Sequence, residues 1–186
     1  RPGKGYWLKF GTGATFTVCG KPVRPLNVPV AAGWNIIGGY DEPVTTAAIT
    51  SMPPGIIGSN FYGYNSGYAV PVTLETGKGY WIKVTQAGVL NLWSPVTKTG
   101  EEIAVLDPAW VRVALRDAAG HKGVLYLASG DLKNWKVDLP PVPPEGIFDV
   151  RFAGDRYVEG AGKQHGVALK SVEYPLSIQA TNLRGG

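Results

Sequence analysis

The sequence predicts an all-β protein: two antiparallel β-sandwich-like modules in tandem, 1–96 and 97–186. Three observations carry that prediction. The first is composition: 26 Gly and 15 Pro among 186 residues, with only 17% charged side chains, is too turn-rich for a helical bundle and too apolar for disorder. The second is period-two alternation, as in Tyr80, Ile82 and Val84 or Leu26, Val28 and Val30, which is the pattern of a sheet with one wet face. The third is a duplication. Gly3-Lys4-Gly5-Tyr6-Trp7-Leu8-Lys9-Phe10 lies over Gly77-Lys78-Gly79-Tyr80-Trp81-Ile82-Lys83-Val84, with six of eight positions identical, and the register continues to place Phe16 over Leu90 and Val18 over Leu92. A spacing of roughly seventy residues suits a small β-module rather than a solenoid unit.

Strands are expected at 5–10, 14–18, 26–30, 33–38, 67–70, 79–84 and 88–92. The joins are turn chemistry: Gly11-Thr12-Gly13, Gly20-Lys21-Pro22, Ala32-Gly33 and Asn65-Ser66-Gly67. The only helical turn expected is Thr46-Ala47-Ala48-Ile49, ended by Met52-Pro53-Pro54-Gly55 because paired prolines cannot continue a helix. Thr97-Lys98-Thr99-Gly100-Glu101-Glu102 reads as a linker, after which the duplicated pattern stops. A hairpin follows, 109–117 returning as 122–128 through Ala118-Ala119-Gly120-His121. The bend Leu139-Pro140-Pro141-Val142-Pro143-Pro144 cannot lie inside a sheet, and strands are expected again at 146–152, 166–172 and 174–180.

The chemistry-bearing residues narrow the function classes. The net charge of +4 and pI of about 9.1 come from singly scattered Lys and Arg, not from the basic face or run that nucleic-acid binding uses. No apolar stretch is long enough to insert in a membrane. His121 sits in a turn and His165 in a Gly-rich loop, neither beside a Ser or Cys nucleophile motif, so no enzyme is expected. A hydrolase site would have to be assembled from Asp107, Asp117, Asp131, Asp138, Asp149 and Asp155, whose spacing selects no pair. One cysteine, Cys19, and two distant histidines supply no zinc site, and Cys19 is expected as a half-buried strand residue. No cofactor is expected; a structural calcium could be met by Asp131 with Asn134, or by Asp155. The Gly-Lys-Gly pairs lead into strands rather than helices, so they are turns and not phosphate cradles.

The aromatics are the functional lead. In strand 79–84, Trp81 and Lys83 share the face opposite Tyr80, Ile82 and Val84, and Trp7 repeats this beside Lys9. A face carrying Lys is the wet one, and exposed indoles stack on the apolar faces of pyranose rings. Phe61-Tyr62-Gly63-Tyr64-Asn65-Ser66-Gly67-Tyr68 adds adaptable contact chemistry. The candidate ligand-binding set is therefore Trp7, Trp81, Tyr62, Tyr64 and Tyr68 for stacking, with Asn65 and Lys83 for polar contacts and a polysaccharide as partner. The competing reading packs each Trp under Lys methylenes or against a neighbouring module. Trp34 and Trp110 are expected in cores, Trp93 and Trp135 at edges.

Two longer patterns resemble a known group. Gly33-Trp34-Asn35-Ile36-Ile37-Gly38 followed by Leu74-Glu75-Thr76-Gly77-Lys78-Gly79-Tyr80-Trp81-Ile82-Lys83-Val84 resembles the GKGYW-repeat β-modules of large secreted bacterial proteins of the type IX-secretion-cargo kind. Asp117-Ala118-Ala119-Gly120 with Leu125-Tyr126, then Pro140-Pro141-Val142-Pro143-Pro144-Glu145-Gly146 and Phe148-Asp149-Val150-Arg151-Phe152, resembles a companion module of the same proteins. The resemblance implies a secreted or cell-surface, non-catalytic accessory region. The first copy lacks its own upstream Gly-Trp-Asn half, and the opening Arg1-Pro2-Gly3 reads as a fragment of a longer chain whose neighbouring domains would be partners. The expected function is an accessory module binding carbohydrate through exposed aromatics. The alternatives are a structural spacer or protein–protein module with no soluble ligand, and then a glycan-directed hydrolase.

Overall fold

The computed structural model describes residues 3–8, 10–13, 15–17, 19–21, 27–92, 106–129, 137–161 and 173–180. Their regular structure is strand, apart from a single 3-10 turn at Thr46–Ala48. In chain order the strands are β1 (Asn27–Val30), β2 (Gly33–Gly38), β3 (Val44–Thr45), β4 (Thr50–Met52), β5 (Gly63–Tyr64), β6 (Tyr68–Ala69), β7 (Thr73–Leu74), β8 (Gly79–Val84), β9 (Gly88–Asn91), β10 (Val111–Arg116), β11 (Lys122–Ser129), β12 (Asp149–Phe152), β13 (Val158–Ala161) and β14 (Leu176–Gln179). The protein is all-β. It divides into two compact units, Arg1–Gly63 with Val70–Ile103, and Tyr64–Ala69 with Ala104–Gly186.

In the first unit β9 lies between β1 and β4, and β2 pairs antiparallel with β8. Alternation explains both. Val28 is opposite Leu90 across β1–β9, and both are fully buried while their sequence neighbours stay wetter. β1 is an edge strand, which is where Pro29 is tolerated, because a proline has no N–H to give to a ladder. On the inner face of β8, Tyr80, Ile82 and Val84 join Ile37, Ile49, Ile56, Phe61, Leu74 and Leu92 in one core cluster. Gly77 opens the turn into β8 at φ 74°, a backbone conformation that glycine takes without a Cβ penalty. The Tyr80 hydroxyl then accepts the Glu75 N–H at 2.7 Å and holds that turn closed.

In the second unit β11 pairs antiparallel with β10 and parallel with β13, while β12 pairs antiparallel with β14. All four residues of β12 are buried, so this strand is covered on both faces. The expected hairpin forms, closed by Asp117: its Oδ1 accepts the His121 N–H at 2.8 Å and its Oδ2 lies 2.7 Å from His121 Nδ1.

Several strand expectations need correction. The described residues of 5–10 and 14–18 carry no strand, although 5–10 nearly duplicates β8. β3, β4, β5, β7 and β13 were not anticipated, and the parallel β11–β13 pair makes the second unit's larger sheet mixed. The 3-10 turn stops at Ala48 with β4 following, so the prolines do not end it. Cys19 is exposed, not half-buried. The linker 97–102, the strand expected at 166–172, His165, Asp131, Asn134, Trp93 and Trp135 lie outside the described residues.

The hairpin β5–β6 also departs from the expected organisation. A boundary near 97 assigns it to the first module, yet Tyr64–Ala69 belongs to the second unit. Its phenols are the reason. Tyr64 Oη donates to the Phe148 carbonyl at 2.7 Å, Tyr68 Oη donates to the Pro141 carbonyl at 2.9 Å, and the two rings meet edge to face with centroids 5.5 Å apart. Gly67 lies so close to the Lys122 carbonyl that a Cβ there would collide with backbone. Only glycine fits that approach.

Candidate functional site

The outer face of the β2–β8 pair gathers two half-exposed tryptophans of the first unit, Trp34 and Trp81. Antiparallel register sets Trp34 opposite Lys83 and Ile36 opposite Trp81, so all four side chains emerge on the side away from the core. On the far edge of β8, Tyr62 bridges to Trp81, with reciprocal backbone hydrogen bonds of 2.8 and 3.0 Å. Two residues further along the same edge the Lys83 N–H donates to Ser59 Oγ at 2.8 Å, and that hydroxyl donates on to the Asn60 carbonyl at 2.7 Å. The strand carrying the candidate side chains is thus hydrogen-bonded along both edges, which fixes their positions.

The rings form a corner. Trp34 and Trp81 stand edge to face, centroids 6.3 Å apart at 89°, and Tyr62 tilts against Trp34 at 6.2 Å. Lys83 Nζ lies 5.9 Å from the Trp34 ring centroid, within cation–π range. An indole face, an indole edge and an ammonium group therefore converge on one half-exposed surface. Such a surface can stack on a flat apolar ring face while donating a hydrogen bond beside it.

The predicted set is only partly brought together. Trp81 and Lys83 share this corner, and Trp7 is half-buried on the segment after Gly5 in the same unit. Tyr62 is fully buried and is corrected from contact residue to the packing floor of the corner. Tyr68 is likewise buried, its hydroxyl given to Pro141, and cannot act as an exposed stacking ring. Tyr64 is half-buried with its hydroxyl on Phe148, and Asn65, though exposed, sits beside it in the second unit. All three belong to the second unit, whereas Trp81 belongs to the first. The residue missed was Trp34, expected in the core. The signal that could have found it is register: the strand partner of Lys83 must share the lysine's wet face.

Burial also sets the acidity of Tyr64. Loss of solvent first, and then the charges of Asp149 and Asp117, push its phenol up from 10.0 to about 12. Its neutral form is favoured in the folded chain, so this contribution to stability is whole below pH 10 and is lost as pH rises through 12. Ultraviolet titration of phenolate absorbance should show an ionisation near 12 that is lost in Tyr64→Phe, and that variant should unfold less steeply with pH above 10. An unchanged titration would exclude this assignment.

The carboxylates of the hydrolase reading are largely committed to structure. Asp107 Oδ1 accepts the Ala109 N–H at 2.9 Å, and Asp117 closes its hairpin turn. Asp149 is buried against Arg151, whose Nε donates to it at 2.6 Å, and Arg151 Nη1 donates at 2.9 Å both to Asp155 and to the Pro140 carbonyl. Asp155, one calcium candidate, is therefore held by a guanidinium. Among the described residues no group of three or more His, Cys, Asp or Glu could hold a metal ion. A cleft of about 270 Å³ in the second unit is lined mainly by Leu115, Ala118, Ala119, Phe148 and Ile178, with Asp117 turned to His121. Among the described residues no helix is long and apolar enough to cross a membrane. Comparison with protein-family models, with curated proteins and with solved structures finds no match.

Proposed function

We infer that the chain is a non-catalytic accessory module of a secreted or cell-surface bacterial protein, built of sandwich-like β-units, and that its first unit binds polysaccharide. The observation supporting this reading is the half-exposed Trp34–Trp81 corner with Lys83 beside it, on strands tied along their edges. A pyranose offers an apolar face to an indole and hydroxyls to an adjacent donor, and the corner supplies both. The resemblance of 33–38 and 74–84 to repeats of secreted proteins supports the extracellular setting. The ammonium group favours a neutral or acidic glycan over a basic one.

The test is retention of the whole chain on insoluble cellulose, xylan and chitin. Retention on at least one matrix is expected, and Trp34→Ala or Trp81→Ala should weaken it about tenfold or more, the cost of truncating one anchoring ring. Tyr68→Phe should leave it unchanged, because that side chain is buried in the second unit. Retention on none of the three, or retention indifferent to both tryptophans, would overturn the reading.

A further inference from the structure

The two copies of Gly-Lys-Gly-Tyr-Trp present the same side chains to opposite surroundings. Both start on a glycine of left-handed backbone, Gly3 at φ 76° and Gly77 at φ 74°. In the second copy Tyr80, Ile82, Val84 and Leu90 are 3%, 0%, 1% and 0% exposed; their counterparts Tyr6, Leu8, Phe10 and Phe16 are 68%, 75%, 55% and 65% exposed. The Phe10 and Phe16 rings lie 5.3 Å apart, so these two exposed members of the stripe pack on each other.

The backbone edges say what belongs there. In β8 the odd-numbered residues bond to the neighbouring segment: Trp81 exchanges hydrogen bonds with Tyr62, and the Lys83 carbonyl accepts the Gly58 N–H at 2.8 Å. The even-numbered residues of β8 therefore face β2. In the first copy it is the odd-numbered glycines that hold β2: the Gly5 N–H donates to Ile36 O at 3.1 Å, and the Gly38 N–H donates to Gly3 O at 2.9 Å. β2 thus sits on the edge that the Tyr62 segment takes in the second copy. The edge carried by Tyr6, Leu8 and Phe10, equivalent to the one β2 takes there, makes no backbone hydrogen bond among the described residues.

We propose that this open edge and its apolar stripe are the docking surface for a β2-type strand carried by another copy of the module. The partner is defined by what 27–74 does for β8 in this chain. It offers an antiparallel strand in the register Gly33↔Val84, Asn35↔Ile82, Ile37↔Tyr80, with Val28, Ile37 and Leu74 closing over the inner face. Transposed to the first copy, that register sets the same strand positions opposite Phe10, Leu8 and Tyr6. An unpaired edge backed by apolar side chains is a template for strand addition, and an exposed patch of this kind marks an interaction surface. The inference goes beyond polysaccharide binding and does not depend on it.

The test titrates the whole chain with a fluorescently labelled peptide covering residues 27–74 of this sequence, read by anisotropy. Saturable one-to-one binding is expected. The double substitution Leu8→Asp with Phe10→Ser should weaken it at least about tenfold, while Ile178→Ser, at an exposed apolar position of the second unit, should leave it intact. Binding unchanged by the double substitution would mean that the peptide exchanges at β8 instead, and would overturn the proposal. So would no binding at about 100 μM peptide. Self-association of the chain that the same substitutions abolish, without peptide binding, would give the stripe to a homodimer and likewise overturn it.

Discussion

Arg151→Met is expected to destabilise the second unit by about 3–5 kcal/mol, the usual cost of removing one partner from a buried ion pair. The guanidinium is enclosed on β12 and donates to Asp149, Asp155 and the Pro140 carbonyl. Burial by itself would lower its pKa; the hydrogen bond and charge of Asp149, followed by those of Asp155, reverse that and hold it above the ordinary value. Removing it leaves the Asp149 carboxylate buried without its cation and the Pro140 carbonyl without its donor. The damage is therefore mainly an orphaned charge, and Asp149→Leu added to Arg151→Met should restore most of the loss. Asp155→Asn should cost about 1 kcal/mol or less, because that partner is solvent-exposed. Urea unfolding of the second unit measures all of these. A double variant as unstable as Arg151→Met would show that packing, not charge pairing, is what the arginine supplies.

Ile82→Ala is expected to cost the first unit about 2–5 kcal/mol, and its counterpart Leu8→Ala about 0.5 kcal/mol or less. The two residues occupy one position of the duplicated motif, so local sequence and strand propensity nearly cancel between them. What differs is enclosure: Ile82 is fully buried in the core cluster and Leu8 stands open. Truncating Ile82 removes transfer free energy and leaves a cavity within the core cluster, whereas truncating Leu8 leaves no cavity. The midpoint shift in thermal or urea unfolding of each variant reports the difference. Equal losses would mean that the first copy is enclosed in solution, which would also remove the basis for a docking surface there.

That pair shows what was legible in the sequence and what was not. Where alternation runs long enough and a partner strand is present, as at 33–38, 79–84 and 111–116, period two located the strands nearly to the residue. The same reasoning placed a strand at 5–10, because the residues are almost those of β8. Strand formation depends on what lies across the sheet, and among the described residues the first copy bonds to β2 only at its opening Gly3-Lys4-Gly5. β3, β5 and β7 are two residues long and too short to show a period, and Val158-Glu159-Gly160-Ala161 of β13 has no alternating face.

The candidate site was legible by half. Facing rules put Trp81 and Lys83 on the wet side, but the tyrosines of 62–68 have the composition of a contact loop and the position of packing residues. Tyr64 and Tyr68 end at Phe148 and Pro141, some seventy to eighty residues away, which no local pattern announces. Trp34 was misplaced for the complementary reason. Its place in an alternating run suggested a core residue, whereas its register with Lys83 set it outward.

The return of Tyr64–Ala69 to the second unit means that neither unit is a single stretch of polypeptide. A scissile point in the span around residue 97 would release a C-terminal piece stripped of the two phenols that reach Phe148 and Pro141, and an N-terminal piece ending with those phenols orphaned. The shortest continuous stretch holding every described residue of the second unit starts at Tyr64 and so carries β8 along with it. Its excision in complete form thus requires dismantling the aromatic corner of the first unit.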